Sequence, residues 1–388
     1  MRTILVVAPE PAAWLAPLVA RAAELAQVAA DQVVVLAPWA TSGALAMVSA
    51  WGFGRIGRAL ERRTLQLPAR VETQPGFLAF EAALLAWAGR DTARRLRARF
   101  LLRRAVGRLA AHLVSDGRDD RARDQLVAVI APSGAAERPF AQARSRGVAR
   151  VLVEDLPGLR RLHADLDAAV RAHPDARFLS RYRAPARVVA RNEAERVLAT
   201  RILVRSDYAR DALIDAGLAP GQLAALPEAA LAPPDGAHAS ARPARPAHEG
   251  RCMTILLAGP ATARGGSYEA LRVLDALPSL TLLVRAGEGL EPAALLAHPR
   301  VRRASARELT TLDGVDAVIA PAWCESHPPE VALARARGLP AITTRPAAGF
   351  ASEDPHAQLV PGDVPSLVAA TARAVAARGD EDLLAITR

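Results

Sequence analysis

The chain contains no lysine: its 50 basic residues are all arginine, set against 40 acidic ones. It has one asparagine, Asn192, two cysteines, and only 4% aromatic residues. Each scarcity excludes something. Without lysine there is no G-x-x-x-x-G-K-[ST] phosphate loop. Cys252 and Cys324 are far apart and cannot form a disulfide framework, which points to a reducing compartment and an expected place in the cytoplasm. Neither cysteine has a CxxC partner, the 8 histidines are dispersed and no HExxH occurs, so no metal and no other cofactor are expected. No G-x-S-x-G nucleophile turn is present; Pro132-Ser133-Gly134 is not one. No window offers roughly 18 uncharged apolar residues, so no membrane span is expected. The opening run Ile4–Ala8 is too short and too early for a signal peptide.

What is present is an alanine-, leucine- and valine-rich chain of 388 residues with 51% apolar residues, enough for two domains of ordinary size. The formal net charge of +10 favours anionic partners: phosphates, a phospholipid surface or nucleic acid. No zinc finger, RNP-like aromatic strand or basic stripe interleaved with aromatics occurs, so nucleic acid is not expected as a partner.

Short apolar runs alternate with helical stretches. Strands are expected at Ile4–Val7, Gln32–Leu36, Leu126–Ile130, Ala149–Val153 and Ile202–Val204. Residues 14–30 and 139–147 between them have helical periodicity, and residues 51–113 read as a long, mostly helical insertion. Residues 228–252 hold Pro233, Pro234, Pro243 and Pro246 among small residues and read as a linker. A second strand–helix series starts at Met253–Leu257. It continues through Thr281–Val284, Ala317–Ala320, Ala341–Thr343 and Gln358–Val360, with a last helix over Val364–Ala377. The pattern predicts two doubly wound α/β domains with parallel sheets: 1–227, then the linker 228–252, then 253–370, with 371–388 as a terminal helix or tail that packs back on the first domain. Two such domains facing each other bind small anions at loops and helix N-termini. Fold alone allows an epimerase, a glycosyltransferase, a phosphorylase or a binding protein.

The stretch Pro321–Glu330 follows an apolar strand. Pro328 and Pro329 suit a first helical turn and Glu330 its positive end; Glu325 can accept sugar or ribose hydroxyls, or equally be a solvated loop residue. From Met253 to Ala370 the order of motifs resembles the donor-binding half of retaining GT-B glycosyltransferases of the bacterial group 1, family 4-like type. The pieces are Leu256-Leu257-Ala258-Gly259-Pro260, Arg264-Gly265-Gly266, Gly287-Glu288-Gly289, His298–Val301, Pro321–Pro340 and Val360–Val364. Glu195–Ala199, Ile202–Ser206, Gly217, Leu226-Pro227 and Ser133-Gly134 extend the likeness into the first half.

The resemblance implies a GT-B architecture, two facing Rossmann-like domains, and transfer of a sugar from a nucleotide-sugar donor to an envelope glycan, lipid-linked or protein acceptor, with retention. It places Arg264 on the donor diphosphate and Glu325 on the donor sugar or ribose, with Gly259, Gly265, Gly266, Ser326, His327 and Glu330 completing the donor site. The chain departs from the family pattern: the second glutamate of the family pair aligns with Leu333, the family lysine with Gly265, an arginine often found after the strand glycine with Pro260, and Pro9-Glu10-Pro11 replaces a glycine pair after the first strand. A catalytically weakened GT-B module that binds nucleotide, glycan or protein is therefore the competing expectation.

The helix around Ala93–His112 carries a row of arginines, with Arg97, Arg104 and Arg108 broadly along one face and Leu102, Val106, Leu109 and Leu113 opposite. It reads either as an acceptor or anionic membrane surface, peripheral to the inner face of the membrane, or as a solvated face over a packed stripe.

Overall fold

The computed structural model describes residues 3–8, 15–26, 32–37, 70–73, 83–84, 86–89, 92–116, 126–154, 156–226, 253–285, 291–324, 328–350 and 359–376. The expected linker, Trp51–Gly54, the end of the terminal tail, the Gly287–Gly289 loop and Glu325, Ser326 and His327 lie outside these residues.

Seven parallel strands form the first sheet: β1 Thr3–Val7, β2 Val33–Ala37, β3 Arg70–Thr73, β4 Leu126–Pro132, β5 Ala149–Glu154, β6 Arg201–Val204 and β7 Leu223–Ala225, in the order β3-β2-β1-β4-β5-β6-β7. Five more form the second: β8 Met253–Pro260, β9 Leu280–Arg285, β10 Val301–Arg303, β11 Ala317–Ala320 and β12 Ala341–Thr343, in the order β10-β9-β8-β11-β12. Both are doubly wound. The winding reverses between β1 and β4 in one sheet and between β8 and β11 in the other, where Leu256 is in register with Val318. Such reversals open a crevice at the carboxyl ends of the strands, the usual ligand position in open α/β sheets.

The described helices are α1 Leu15–Ala26, α2 Thr92–Asp116, α3 Glu137–Ser145, α4 Leu159–Ala172, α5 Ala186–Leu198, α6 Asp207–Asp215, α7 Ser267–Ala276, α8 Ala293–Ala297, α9 Ala306–Thr311, α10 Pro329–Ala336 and α11 Val364–Ala376. The second sheet shows why its central strand β8 is apolar from Ile255 to Ala258. Ile255 and Leu257 pack on one side with Val273, Leu274 and Leu367 of α7 and α11, while Leu256 and Ala258 pack on the other with Val331 and Ala334 of α10. A strand buried on both faces cannot alternate with polar residues. In the first sheet Ile4, Val6, Val33, Val35, Ile130 and Val153 join Leu15 and Leu18 of α1.

Three local expectations change. Arg70–Thr73, inside the expected helical stretch, is an edge strand paired to β2; four residues with a single long apolar side chain, Val71, give no apolar run to read. The buried stripe of α2 is Ala98, Leu102, Val106, Ala110 and Val114, not one ending in Leu113, which is exposed, because alanines let the helix sit close to its neighbours. Leu359 makes one bridge to Thr344 instead of lying in a strand.

Contacts divide the chain into two compact units. One holds Met1–Asp155, Ala184–Val204 and Leu218–Leu231; the other holds Ala232–Arg388 and also takes in Leu156–Arg183 and Arg205–Gly217. The second unit therefore carries α4, the 3-10 turn Pro174–Tyr182 and α6. Leu162, Leu166, Ala176 and Leu179 of that insertion bury themselves with Ala263, Trp323 and Cys324. Asp207 donates its amide to the Gly349 carbonyl at 3.1 Å, and Arg345 reaches Asp211 at 2.5 Å.

Candidate functional site

At the β8–β11 reversal of the second unit the chain leaves β8 through Gly259, at φ 75°, and makes one 3-10 turn, Ala263–Gly265, before α7. Thr262 caps that turn, its Oγ1 accepting from the Gly265 amide at 3.3 Å, and the Gly266 amide donates to the Ala263 carbonyl at 3.2 Å. Both amides are thus held within the turn. A Cβ at Gly265 would stand 2.4 Å from the Pro260 carbonyl oxygen, and one at Gly266 would stand 2.2 Å from that of Pro321. Gly266 also sits at φ 84°, a left-handed conformation that glycine adopts without strain. The glycine at 265, where the resembling family has lysine, is therefore required by backbone contact: any side chain there forces the loop to move.

The loop after β11 closes against this turn. The Trp323 amide donates to the Arg264 carbonyl at 2.9 Å, and Arg264 itself is half-buried. Trp323 is itself nearly buried, and its indole N–H donates to Glu269 Oε1 at 3.0 Å. His173, from the junction of α4 and the 3-10 turn, meets the same oxygen through Nε2 at 2.6 Å and stacks on Tyr268, ring centroids 4.5 Å apart. Glu269 is 1% exposed, and its Oε2 has no hydrogen-bond partner among the described residues. A buried carboxylate with one bare oxygen is costly, and it faces a cluster of three aromatic rings.

Glu330 opens α10 behind two prolines and is 2% exposed. It pairs with Arg285, the last residue of β9, and accepts from the Gly259 amide at 3.3 Å. Its carboxylate ties the ends of β8 and β9 to the start of α10. Leu333, one turn further, is buried against the sheet in the same cluster as Leu256 and Val318, so helix packing occupies the position where the resembling family has its second glutamate. Among the sequence-chosen residues, the structure brings Gly259, Arg264, Gly265, Gly266 and Glu330 to one strand-end crevice.

Sequence reasoning missed Arg285, Glu269, Trp323 and His173. Arg285 had a signal, a cation directly after the apolar strand Leu280–Val284. Trp323 lay inside a quoted motif. His173 had none, because its partner is far along the chain and the contact depends on how α4 packs.

The first unit has a different centre at its own reversal. There the amides of Gly134, Ala136 and Glu137, the start of α3, donate to the Glu195 carboxylate at 2.7, 2.9 and 3.1 Å. Glu195 is fully buried, and burial pushes its carboxyl up to about 7 against the opposing pull of those amides. A chain of contacts continues from it, half-buried at Ser133 Oγ and then buried through Asn192, Arg196 and Glu154, the last contact at 2.9 Å. Ser133-Gly134 and Glu195, two motif pieces far apart in sequence, are thus direct partners. On the same unit Arg97, Arg104 and Arg108 of α2 are all exposed.

Among the described residues no group of three or more His, Cys, Asp or Glu is arranged to hold a metal, and no helix is long and apolar enough to cross a membrane.

No protein-family model and no curated protein matches the chain. Solved structures do. The lipopolysaccharide outer core galactosyltransferase WaaB, in its apo form, superposes with a TM-score of 0.52 at 9% identity, covering 97% of this chain and 91% of that one. Anabaena Alr3699/HepE in complex with UDP-glucose gives 0.50 at 13% identity, covering 100% and 92%; its complex with UDP gives the same values. At such identities the likeness is one of fold. The chain has two parallel-sheet Rossmann-like lobes, consistent with the GT-B two-domain architecture.

Proposed function

We propose that the protein is a glycosyltransferase that takes a sugar from a nucleotide-sugar donor and passes it, with retention, to an envelope glycan, lipid-linked or protein acceptor, acting in the cytoplasm or at the inner face of the membrane. The observation that carries this reading is the turn at Gly265 and Gly266. Its backbone lies against the ends of β8 and β11 with no room for side chains, leaving Arg264 as the cation beside the crevice. The fold it shares with Anabaena Alr3699/HepE, solved in complex with UDP-glucose, supports a nucleotide-sugar ligand.

In this reading the leaving nucleotide diphosphate gains negative charge as the glycosidic bond breaks, and Arg264 receives it through its fixed fork of donors. Losing such a donor typically costs on the order of a hundredfold to a thousandfold in rate. The loop of Glu325, Ser326 and His327 holds the donor sugar or ribose. Glu330 acts from behind, keeping Gly259 and Arg285 in place. His173, Tyr268 and Trp323 form an aromatic wall fixed by Glu269.

A second reading, a GT-B module that binds nucleotide or glycan without efficient transfer, is favoured by the burial of Leu333 and by the engagement of Glu330 with Arg285. The two separate in calorimetry with UDP, GDP, TDP and their sugar conjugates, followed by a donor-hydrolysis assay. Saturable binding to one base with donor turnover, both reduced in Arg264→Ala and Glu325→Ala, supports the transferase. Binding without turnover selects the module. Binding to none, by folded protein, overturns the transferase and leaves a module whose ligand is a glycan or a protein. An inverted product anomer by NMR overturns retention alone.

A further inference from the structure

We propose that the first unit holds a separate binding site for an organic phosphate or diphosphate, in the trough bordered by α2, α3 and α5, with Arg104, Arg138, Arg187 and Arg191 as its receiving cations. The trough encloses about 600 Å³, a size suited to a sugar-sized ligand. Gly107 and Gly134 lie in its lining, and a Cβ on Gly107 would stand 2.4 Å from the Ala135 carbonyl oxygen, so α2 presses directly on the loop that leads into α3.

The charge of this trough is unbalanced. Arg191 pairs with Glu137 at 3.2 Å, but among the described residues no carboxylate pairs with Arg104, Arg138 or Arg187. The cations repel one another: Arg108, then Arg191 and Arg138, hold the Arg104 guanidinium below its ordinary range. Four guanidiniums gathered around one paired carboxylate, Glu137, lower their mutual repulsion when a multiply charged anion enters, and their planar forks match phosphate oxygens in pairs. An adjoining hollow of about 490 Å³ shares Arg138 and adds Arg108 and His112, room for a second anionic group.

The start of α3 does not supply the binding. Its amides already donate to Glu195, which fills the position an incoming anion would otherwise take. Recognition therefore rests on arginine side chains. The site belongs to the first unit and does not depend on the donor reading.

The test is calorimetry of the full chain with glucose 1-phosphate and inorganic pyrophosphate, with glucose as the uncharged control. A parallel arm measures co-sedimentation with phosphatidylcholine vesicles with and without phosphatidic acid. The variants are Arg104→Ala/Arg187→Ala, Arg97→Ala as an exposed arginine of the same helix that lines neither hollow, and Arg264→Ala to remove the second unit's cation. The expected result is saturable phosphate binding weakened about tenfold or more in the double variant and kept in Arg97→Ala and Arg264→Ala. Binding in the soluble arm identifies a free ligand. Binding only to phosphatidic acid vesicles, with the same loss pattern, identifies a lipid-borne phosphate. No saturable binding in either arm, or equal loss in Arg97→Ala, overturns the site. Loss only in Arg264→Ala overturns it too and assigns the phosphate to the second unit.

Discussion

The two sheets wind alike around their first strands, β3-β2-β1-β4-β5 and β10-β9-β8-β11-β12, yet their reversal points are finished differently. At the first, the carboxylate of Glu195 comes in from α5 and satisfies the start of α3 from outside. At the second, Glu330 is part of α10 itself and turns back to Gly259 and Arg285. In both, a buried glutamate takes backbone amides that a ligand would use in a plainer doubly wound fold. The difference lies in what remains. The first unit keeps a cluster of arginines on helix surfaces with few carboxylates among them, while the second keeps a half-buried arginine at a tight glycine turn beside an aromatic wall. Topology selects where a ligand site can form. The residues that finish the strand ends decide what kind of charge the site offers.

The sharpest way to break this comparison is to force a side chain into the second reversal. Gly266→Val should cost on the order of 3–5 kcal/mol in urea unfolding, from left-handed strain and the clash with Pro321. Gly265→Lys, which restores the residue of the resembling family, should also destabilise, by about 2–4 kcal/mol, and should weaken donor binding. A Gly265→Lys protein that is stable and binds more tightly would refute the close-approach account.

The next largest effect belongs to the first reversal and depends on pH. Because the folded-state carboxyl of Glu195 is raised from 4.5 to about 7, the native state holds its proton more tightly, so the stability it lends is present below the unfolded value and is lost as pH rises between the two. Wild type should lose up to about 3 kcal/mol relative to Glu195→Gln between pH 4.5 and 7.5. An equal pH slope in both proteins would show the carboxylate to be ionised throughout. Glu195→Ala, which leaves three amides without an acceptor, should cost about 2–3 kcal/mol near neutrality.

Smaller effects sharpen the second centre. Glu330→Gln should cost about 1–2 kcal/mol, as the Arg285 pair is lost while the amide contact to Gly259 persists. Trp323→Phe, which keeps the ring but removes its N–H from Glu269, should cost about 1 kcal/mol. Its effect on nucleotide affinity should exceed that of Glu330→Gln if the aromatic wall contacts the ligand.

The architecture was legible because parallel strands buried on both faces must be nearly continuous apolar runs, as Leu126–Ile130 and Ile255–Ala258 are. Edge strands carry no such burden, and Arg70–Thr73 and Val301–Arg303 passed unread. The glycine turn was legible as a motif and misleading as chemistry: an alignment reads Gly265 as a missing lysine, while the Pro260 carbonyl shows why nothing larger fits. Leu333 is similar, a residue whose burial explains its identity. The buried pairings of Glu195 with Gly134 and of Glu269 with His173 depend on helix packing across long stretches of chain, and no local pattern encodes that.

The most direct test of the account compares the two reversals in one experiment: calorimetric titration of UDP, GDP and TDP into wild type, Arg264→Ala and Arg187→Ala. The account predicts saturable binding selective for one nucleobase, weakened about tenfold or more in Arg264→Ala and kept in Arg187→Ala, because the arginine trough of the first unit takes the three diphosphates alike. Binding that survives in Arg264→Ala and disappears in Arg187→Ala would contradict it and move the donor site to the first unit.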